Sequence, residues 1–87
     1  MARGKRPDTV RVVYEGVAYR LDLRRIRVAM VSLGVSLMEL AEAADVSRST
    51  LSRLLAGRRV SLGTLAATLE KLGLIVDDVL QELKDED

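Results

Sequence analysis

Apolar and polar positions follow the three- and four-residue spacing of a helix in two short neighbouring segments, at about 36–44 and about 47–56. Ser36, with Glu39 three residues later, is typical of a capping box at the start of the first one. We expect two helices that cross over a tight turn and leave the outer face of the second one free, as in a helix-turn-helix that enters a DNA major groove. The apolar residues that would meet between these helices are Leu40, Ala41, Ala44, Val46, Leu51 and Leu54.

Three further helices are predicted around this pair. A first helix runs from a cap at Asp22 to Leu33, where Gly34 ends it, and a fourth begins after Ser61 and ends before Gly73. A short fifth helix is expected at about 77–83. The apolar side of the first helix comprises Leu23, Ile26, Val28, Ala29, Met30 and Leu33, and that of the fourth comprises Leu62, Leu65, Ala66, Leu69 and Leu72.

The segment before the first helix, at 9–22, has the period of two that is typical of β-strands. With Glu15 and Gly16 as a two-residue turn, it predicts a hairpin with one wholly apolar surface, whereas a three-residue loop would change the register. The facing pairs are then Val10 with Leu21, Val12 with Tyr19 and Tyr14 with Val17 on the apolar surface, and Arg11 with Arg20 and Val13 with Ala18 on the other.

Several of these positions resemble those of a known family. Between about residues 23 and 80, the chain resembles the Cro/phage-repressor-type helix-turn-helix domains, the XRE class, through Ala41, Val46, Ser47, Leu51, Leu54 and Gly57. The resemblance implies a mainly α fold, a five-helix repressor-like DNA-binding bundle, here with an N-terminal β-hairpin. Leu37 stands where many relatives have a DNA-facing glutamine, and Asp45 stands where the turn usually has glycine. Aspartate tolerates the left-handed backbone of such a turn.

Residue types that the chain lacks narrow its chemistry. It has no His and no Cys, so it lacks the usual base at neutral pH, the usual thiol nucleophile and the ligands of a thiolate metal site. We expect no enzymatic activity, no cofactor and no bound metal. No apolar run approaches the roughly 20 residues of a membrane span, which favours a cytoplasmic, nucleoid-associated protein without a membrane partner.

Charge is distributed unevenly along the chain, although the formal net charge is only +1. Residues 1–60 hold 12 Lys or Arg against 6 Asp or Glu, which gives +6, and residues 61–87 hold 2 against 7, which gives −5. The first part is suited to facing phosphates, and a solvated surface with an acidic tail is the alternative interpretation. We expect a flexible basic arm at 1–8, a β-hairpin at 9–22, a helix-turn-helix domain at 23–83 and an acidic tail at 84–87.

The start of the second helix of the pair supplies the candidate base contacts, because this turn penetrates deepest into the groove. Arg48 is favoured for base readout, since its planar guanidinium matches the two acceptors of guanine and the residue matches a base-contacting position of the resembled family. Ser49, Thr50 and Ser52 are the other candidates. The plainer interpretation is a phosphate contact for Arg48, and surface hydroxyls or local packing for the other three.

Candidate phosphate contacts flank the same helix. They are Ser36, which heads a helix with free N–H groups, the capping Ser47, and Arg53, Arg58 and Arg59 on or just after the second helix. Arg3, Lys5 and Arg6 form a minor-groove arm in one interpretation and an unstructured start of the chain in the other.

A dimer surface is expected because one such domain makes few base contacts and relatives usually read two half-sites about 34 Å apart. The apolar face and open edges of the hairpin favour Val12, Tyr14 and Tyr19 as this surface. In the alternative, the hairpin covers a helix of its own subunit. The fifth helix is the rival dimer surface, through Leu74, Ile75, Val79 and Leu80.

These patterns together predict a sequence-specific, double-stranded DNA-binding transcriptional regulator. We expect a repressor that occupies its operator as a homodimer. The alternative is an antitoxin or adaptor that uses the helix-turn-helix scaffold to bind a protein partner, with the acidic C-terminal part as the contact.

Overall fold

The computed structural model describes residues 7–84, and the basic residues Arg3, Lys5 and Arg6 and the tail at 85–87 lie outside this part. The elements are β1 (Thr9–Tyr14), β2 (Val17–Asp22), α1 (Leu23–Leu33), α2 (Leu37–Ala44), α3 (Arg48–Leu55), α4 (Leu62–Lys71), α5 (Val76–Val79) and β3 (Leu80–Glu82). The mainly α fold with five helices and an N-terminal hairpin is confirmed, and a third strand joins the hairpin in the order β1-β2-β3.

The hairpin has the predicted register, with Val12 opposite Tyr19 and Tyr14 opposite Val17. Glu15 and Gly16 form the two-residue turn with φ of 53° and 80°. Positive φ at both central residues is the requirement of the turn whose twist matches that of the strands. The alternation therefore places one apolar surface of β1 and β2 towards the helices.

The predicted caps fix the helix boundaries. The Asp22 side chain accepts a hydrogen bond from the Arg25 N–H at 3.0 Å at the start of α1, and Ser47 and Ser61 cap α3 and α4 in the same way. At the end of α2, Asp45 adopts the left-handed conformation with φ of 60° and ψ of 45°. Aspartate thus takes the place that glycine usually has in the turn of the helix-turn-helix.

The inward face of the sheet and the helices share one aliphatic core. Its fully buried residues include Leu21, Leu23, Ile26, Leu40, Leu51, Leu54, Leu65 and Leu69. The predicted apolar side of α1 is too wide, because Val28 and Leu33 are exposed. Val28 follows the buried Ile26 by two residues, about 200° around the helix, and therefore points away from the core. On α4, Leu62 and Ala66 are exposed for the same kind of reason, outside the stripe formed by Leu65, Leu69 and Leu72.

The prediction of a helix over 77–83 is wrong for its second half. α5 ends at Val79, and Leu80 and Gln81 pair with Leu21 and Arg20 on β2. The outer edge of β2 would otherwise leave its backbone N–H and C=O groups unpaired, whereas a helix of this length gains little from propensity alone. The sheet edge therefore determines the conformation of this segment.

The hairpin belongs to the core of its own chain, which corrects the expectation that Val12 and Tyr14 form a dimer surface. Each of these two side chains is only 5% exposed, and Tyr19 is half-buried against the same core. β3 also covers one of the two hairpin edges that were expected to be open. The intramolecular alternative, in which the hairpin extends the core, is the one that the structure adopts.

The two faces of β1 predict different costs for the same truncation. Val12→Ala removes two buried methyl groups and should lower the free energy of unfolding by about 2 kcal/mol, through lost burial and the cavity left behind. Val13→Ala, at a position 39% exposed on the opposite face, should change it by less than about 0.5 kcal/mol. Urea unfolding followed by circular dichroism measures both values, and equal losses would contradict the inward placement of Val12.

Candidate nucleic-acid interface

The outer face of α3 carries the predicted base-contacting residues. Leu51, Leu54 and Leu55 point into the core, so the opposite side of the helix is free. Arg48, Ser49, Ser52 and Arg53 are all exposed there. Because residues three or four apart are neighbours on a helix, these four side chains form one continuous polar surface.

Ser47 and Thr50 are occupied with each other at the start of α3. The Ser47 hydroxyl accepts a hydrogen bond from the Thr50 N–H at 3.0 Å and donates one to the Thr50 hydroxyl at 2.8 Å. Thr50 is also half-buried, unlike Arg48 and Ser49. Ser49 is exposed, but its hydroxyl lies 3.4 Å from that of Ser47. Of the candidates in this turn, Arg48 therefore has the freest access to a groove, followed by Ser49.

The start of α2 has fewer free donors than its sequence suggests. The Ser36 hydroxyl accepts from the Glu39 N–H at 3.1 Å, and the Ser36 N–H donates to the Glu39 carboxylate at 2.8 Å. A phosphate approaching this end would meet the Ser36 hydroxyl proton and the N–H groups of Leu37 and Met38, beside a negative charge. This end is consequently a weaker anion site than a helix start without a glutamate.

A groove of about 610 Å³ lies between α3 and the junction of α1 with α2. It brings together three predicted DNA contacts, Ser52, Arg53 and Arg58, and its remaining lining is apolar, from Met30, Leu37, Leu55 and Ala56. From the sequence pattern, Met30 was expected on the apolar side of α1 and not on this surface. Leu37 gave a signal, because it replaces the glutamine of the resembled family at a position that now forms part of the groove.

The arginines of this surface are not neutralised by carboxylates of the described chain. Within residues 7–84, the ion pair joins Arg27 to Asp8 at 3.2 Å and includes no arginine of α3 or of the loop after it. Arg48, Arg53 and Arg58 are exposed and take part in no ion pair in that range. Their full positive charge is therefore presented to the solvent on one side of the protein.

Arg58 and Arg59 are adjacent in sequence but have different surroundings. The Arg59 guanidinium donates a hydrogen bond to the Val13 carbonyl at 3.0 Å and lies 5.3 Å from the centre of the Tyr14 ring. Arg58 lines the groove beside α3. Arg59 is thus engaged with the hairpin, whereas the side chain of Arg58 faces the predicted DNA surface.

Tyr14 makes the buried polar contact between the hairpin and the helical part. Its hydroxyl donates to the Val60 carbonyl at 2.6 Å. Burial raises the pKa of this hydroxyl above its ordinary value, and this effect outweighs the lowering by the Arg59 charge and by the hydrogen bond to Val60. The phenol therefore remains protonated and keeps its donor role at neutral pH.

Residues 7–84 contain no group of three or more acidic side chains placed to hold a metal ion. Nor does any helix there combine the length and the apolar character that crossing a bilayer demands.

Comparison with known proteins identifies the family. A protein-family model described as a helix-turn-helix domain matches residues 18–83, most of the chain. The chain belongs to the helix-turn-helix domain family. A crystal structure of the transcriptional regulator VanUg is similar, with a TM-score of 0.61 and 27% sequence identity over 85% of this chain and 97% of that one. A search among curated proteins found no match. The family model and the similarity to VanUg together confirm the XRE-type helix-turn-helix fold that the sequence motif implies.

Stability at alkaline pH tests the burial of Tyr14. Because folding raises the pKa of this hydroxyl, its contribution is complete below the pKa of an unfolded tyrosine, about 10, and is lost as the pH rises through the folded-state pKa. Between about pH 9 and pH 11, the free energy of unfolding should therefore fall more for the wild type than for Tyr14→Phe. Urea titrations at each pH measure this difference, and parallel curves would show that Tyr14 ionises as freely as in the unfolded chain.

Proposed function

We propose that this helix-turn-helix protein is a sequence-specific regulator of transcription that binds double-stranded DNA through α3. The observation that carries the proposal is the exposed polar face of α3, which has Arg48 and Ser49 at its start and no acidic partner for its arginines within residues 7–84. The first turn of such a helix reads base edges, and arginine is the side chain best suited to guanine. The similarity to VanUg, a transcriptional regulator, supports the same conclusion.

The proposal assigns different tasks to the residues of this surface. Arg48 reads a base, and Ser49 and Ser52 reach base edges from the same face of α3. Arg53 and Arg58 contact phosphates along the groove, where they provide the part of the affinity that does not depend on sequence. Ser36 adds a hydroxyl and a helix start on the other side.

The basic arm at 1–8 is proposed to extend this surface through Arg3, Lys5 and Arg6. The Asp8 carbonyl accepts hydrogen bonds from the N–H groups of Leu23 and Arg24 at 2.8 and 3.1 Å, and Arg27 donates to the Pro7 carbonyl at 3.1 Å. The Pro7 side chain also lies beside Gly57, just after α3. Pro7, where the described part of the chain begins, therefore lies close to the end of α3, and this supports the proposal that Arg3, Lys5 and Arg6 contact the adjoining minor groove.

We further propose that the protein acts as a repressor in the form of a homodimer. A dimer would read two half-sites about 34 Å apart, and its presence on an operator would exclude the polymerase without any cofactor. Because Val12 and Tyr14 are buried in the subunit, the proposal places the contact at the α5 end instead. Ile75, immediately before α5, is 64% exposed and has half-buried apolar neighbours in Leu74 and Val76.

Base readout and phosphate contact predict different losses for two arginine variants. Arg48→Ala should cost about 1–3 kcal/mol on a duplex that carries the preferred site and relax the preference at one base pair, with much less effect on random duplex. Arg58→Ala should weaken binding to both duplexes and reduce the slope of log affinity against log salt by about 1. Anisotropy titrations, after selection of the preferred site from random duplexes, measure these effects. Equal losses from Arg48→Ala on both duplexes would make Arg48 a phosphate contact, and a wild-type affinity independent of salt would contradict DNA binding by this surface.

The proposed dimer contact predicts a change of assembly without a change of fold. Ile75→Glu should give a monomer with the circular dichroism spectrum of the wild type, because an exposed side chain contributes little to the core. Val31→Glu is the matched control, since Val31 is 81% exposed on α1 and should leave the dimer intact. Sedimentation equilibrium measures both masses. A monomeric wild type would contradict the homodimer, and dissociation by Val31→Glu alone would move the contact to α1.

A further inference from the structure

The loop at 57–60, between α3 and α4, is held by the hairpin on both sides of Arg58. Before Arg58, the strand β1 packs against Gly57, and after it the hairpin contacts Arg59 and Val60. Arg58 itself is exposed and makes no side-chain hydrogen bond within residues 7–84. The backbone around this arginine is therefore fixed, whereas its guanidinium is free.

The first contact is a close approach of strand to backbone. Gly57 has φ of +94°, and a methyl group added at its Cα would lie 3.0 Å from Val10 Cγ1. Only glycine adopts this conformation easily, and only glycine leaves room for Val10. The chain leaves α3 at this point, so β1 packs directly against the start of the loop.

The second and third contacts are hydrogen bonds that run in opposite directions across the interface. The hairpin donates through the Tyr14 hydroxyl to the Val60 carbonyl at 2.6 Å, and the loop donates through Arg59 to the Val13 carbonyl at 3.0 Å. The Tyr14 ring also lies beneath the Arg59 guanidinium. Both loop residues that follow Arg58 are thus tied to the end of β1.

We propose that the β-hairpin positions Arg58 for phosphate contact, with Tyr14 and Arg59 as the positioning residues. The proposal rests on DNA binding through α3. A loop that is already ordered in the free protein loses less conformational entropy when DNA binds. The smaller entropy cost makes binding tighter. Arg59 accordingly acts through the hairpin rather than by touching DNA, and of the two adjacent arginines only Arg58 neutralises a phosphate.

A double-mutant cycle tests this coupling. Tyr14→Phe keeps the ring and removes the hydrogen bond to Val60, and it should weaken binding to the selected duplex by about threefold to tenfold. In an Arg58→Ala background, Tyr14→Phe should cause no further loss of affinity, because the phosphate contact that Tyr14 helps to position is already absent. Tyr19→Phe is the matched control, since the Tyr19 hydroxyl has no hydrogen bond within residues 7–84, and it should bind like the wild type. Circular dichroism at the assay temperature confirms that each variant is folded.

The Arg59→Met substitution provides a second, independent test of the proposal. It should weaken binding when Arg58 is present and have no effect, either on affinity or on the salt slope, when Arg58 is alanine. Losses from Tyr14→Phe and Arg59→Met that are the same in both backgrounds, or no loss from either variant, would overturn the proposal.

Hydrogen exchange in the free protein separates this proposal from the proposed function. The Arg58 N–H donates to the Arg53 carbonyl at 2.9 Å, so its exchange rate reports on the loop. Tyr14→Phe should accelerate exchange at Arg58 and leave the Leu40 amide in α2 unchanged. If the wild type failed to bind any duplex, DNA binding would be refuted while this measurement still tested the hold of the hairpin on the loop. An unchanged exchange rate at the Arg58 amide in Tyr14→Phe would refute the claim that the hairpin fixes this loop.

Discussion

The hydrogen bond from the Tyr14 hydroxyl to the Val60 carbonyl joins parts of the chain that are 46 residues apart. A buried phenol without a partner would cost more than the hydrogen bond itself contributes, so the hairpin can dock only where this carbonyl lies. This docking position places Val12 and Leu21, which share the inward face of the hairpin with Tyr14, in the core. It also brings the end of β1 to the loop after α3. The architecture of the sheet and the position of the proposed DNA surface thus depend on the same contact.

The arrangement separates the residues that hold the fold from those that remain free. Arg59 is engaged with Val13 and Tyr14, and Ser47 is engaged with Thr50. Arg48 and Arg58 are exposed and unengaged within the described chain. A free side chain on a fixed backbone suits a binding surface, because only the side chain then loses conformational freedom when the ligand binds. This favours the division between readout and positioning that we propose.

The features that the sequence predicted correctly are local ones. A two-residue turn and strict alternation permit one hairpin register, and a serine or aspartate before an apolar run permits few helix starts. The third strand depends instead on the edge of β2, which lies 59 or more residues away in the chain, as with Leu21 and Leu80. Nothing within 77–83 itself signals that edge, so helix propensity gave the wrong answer there. The width of the buried face of α1 likewise depends on its neighbours, and Val28 turned out to be exposed.

The candidate site, like the fold, could be predicted from the sequence only in its local features. The motif located α3 and its outward residues, but it could not distinguish Arg58 from Arg59, because both follow the helix and have the same chemistry. Only the path of the hairpin gives these two arginines different surroundings. The groove at Met30 and Leu37 was not predictable either, since its shape depends on how α1, α2 and α3 pack against one another.

The most direct test of the account is a titration of the isotope-labelled protein with a duplex that carries its selected site, followed by backbone amide resonances. DNA recognition through α3 predicts large changes in the resonances of Arg48, Ser49, Ser52 and Arg58, and small ones in α4 and in the sheet. Changes concentrated in α5 and β3, with α3 unaffected, would contradict DNA recognition through α3 and would indicate that another surface of the protein meets its partner.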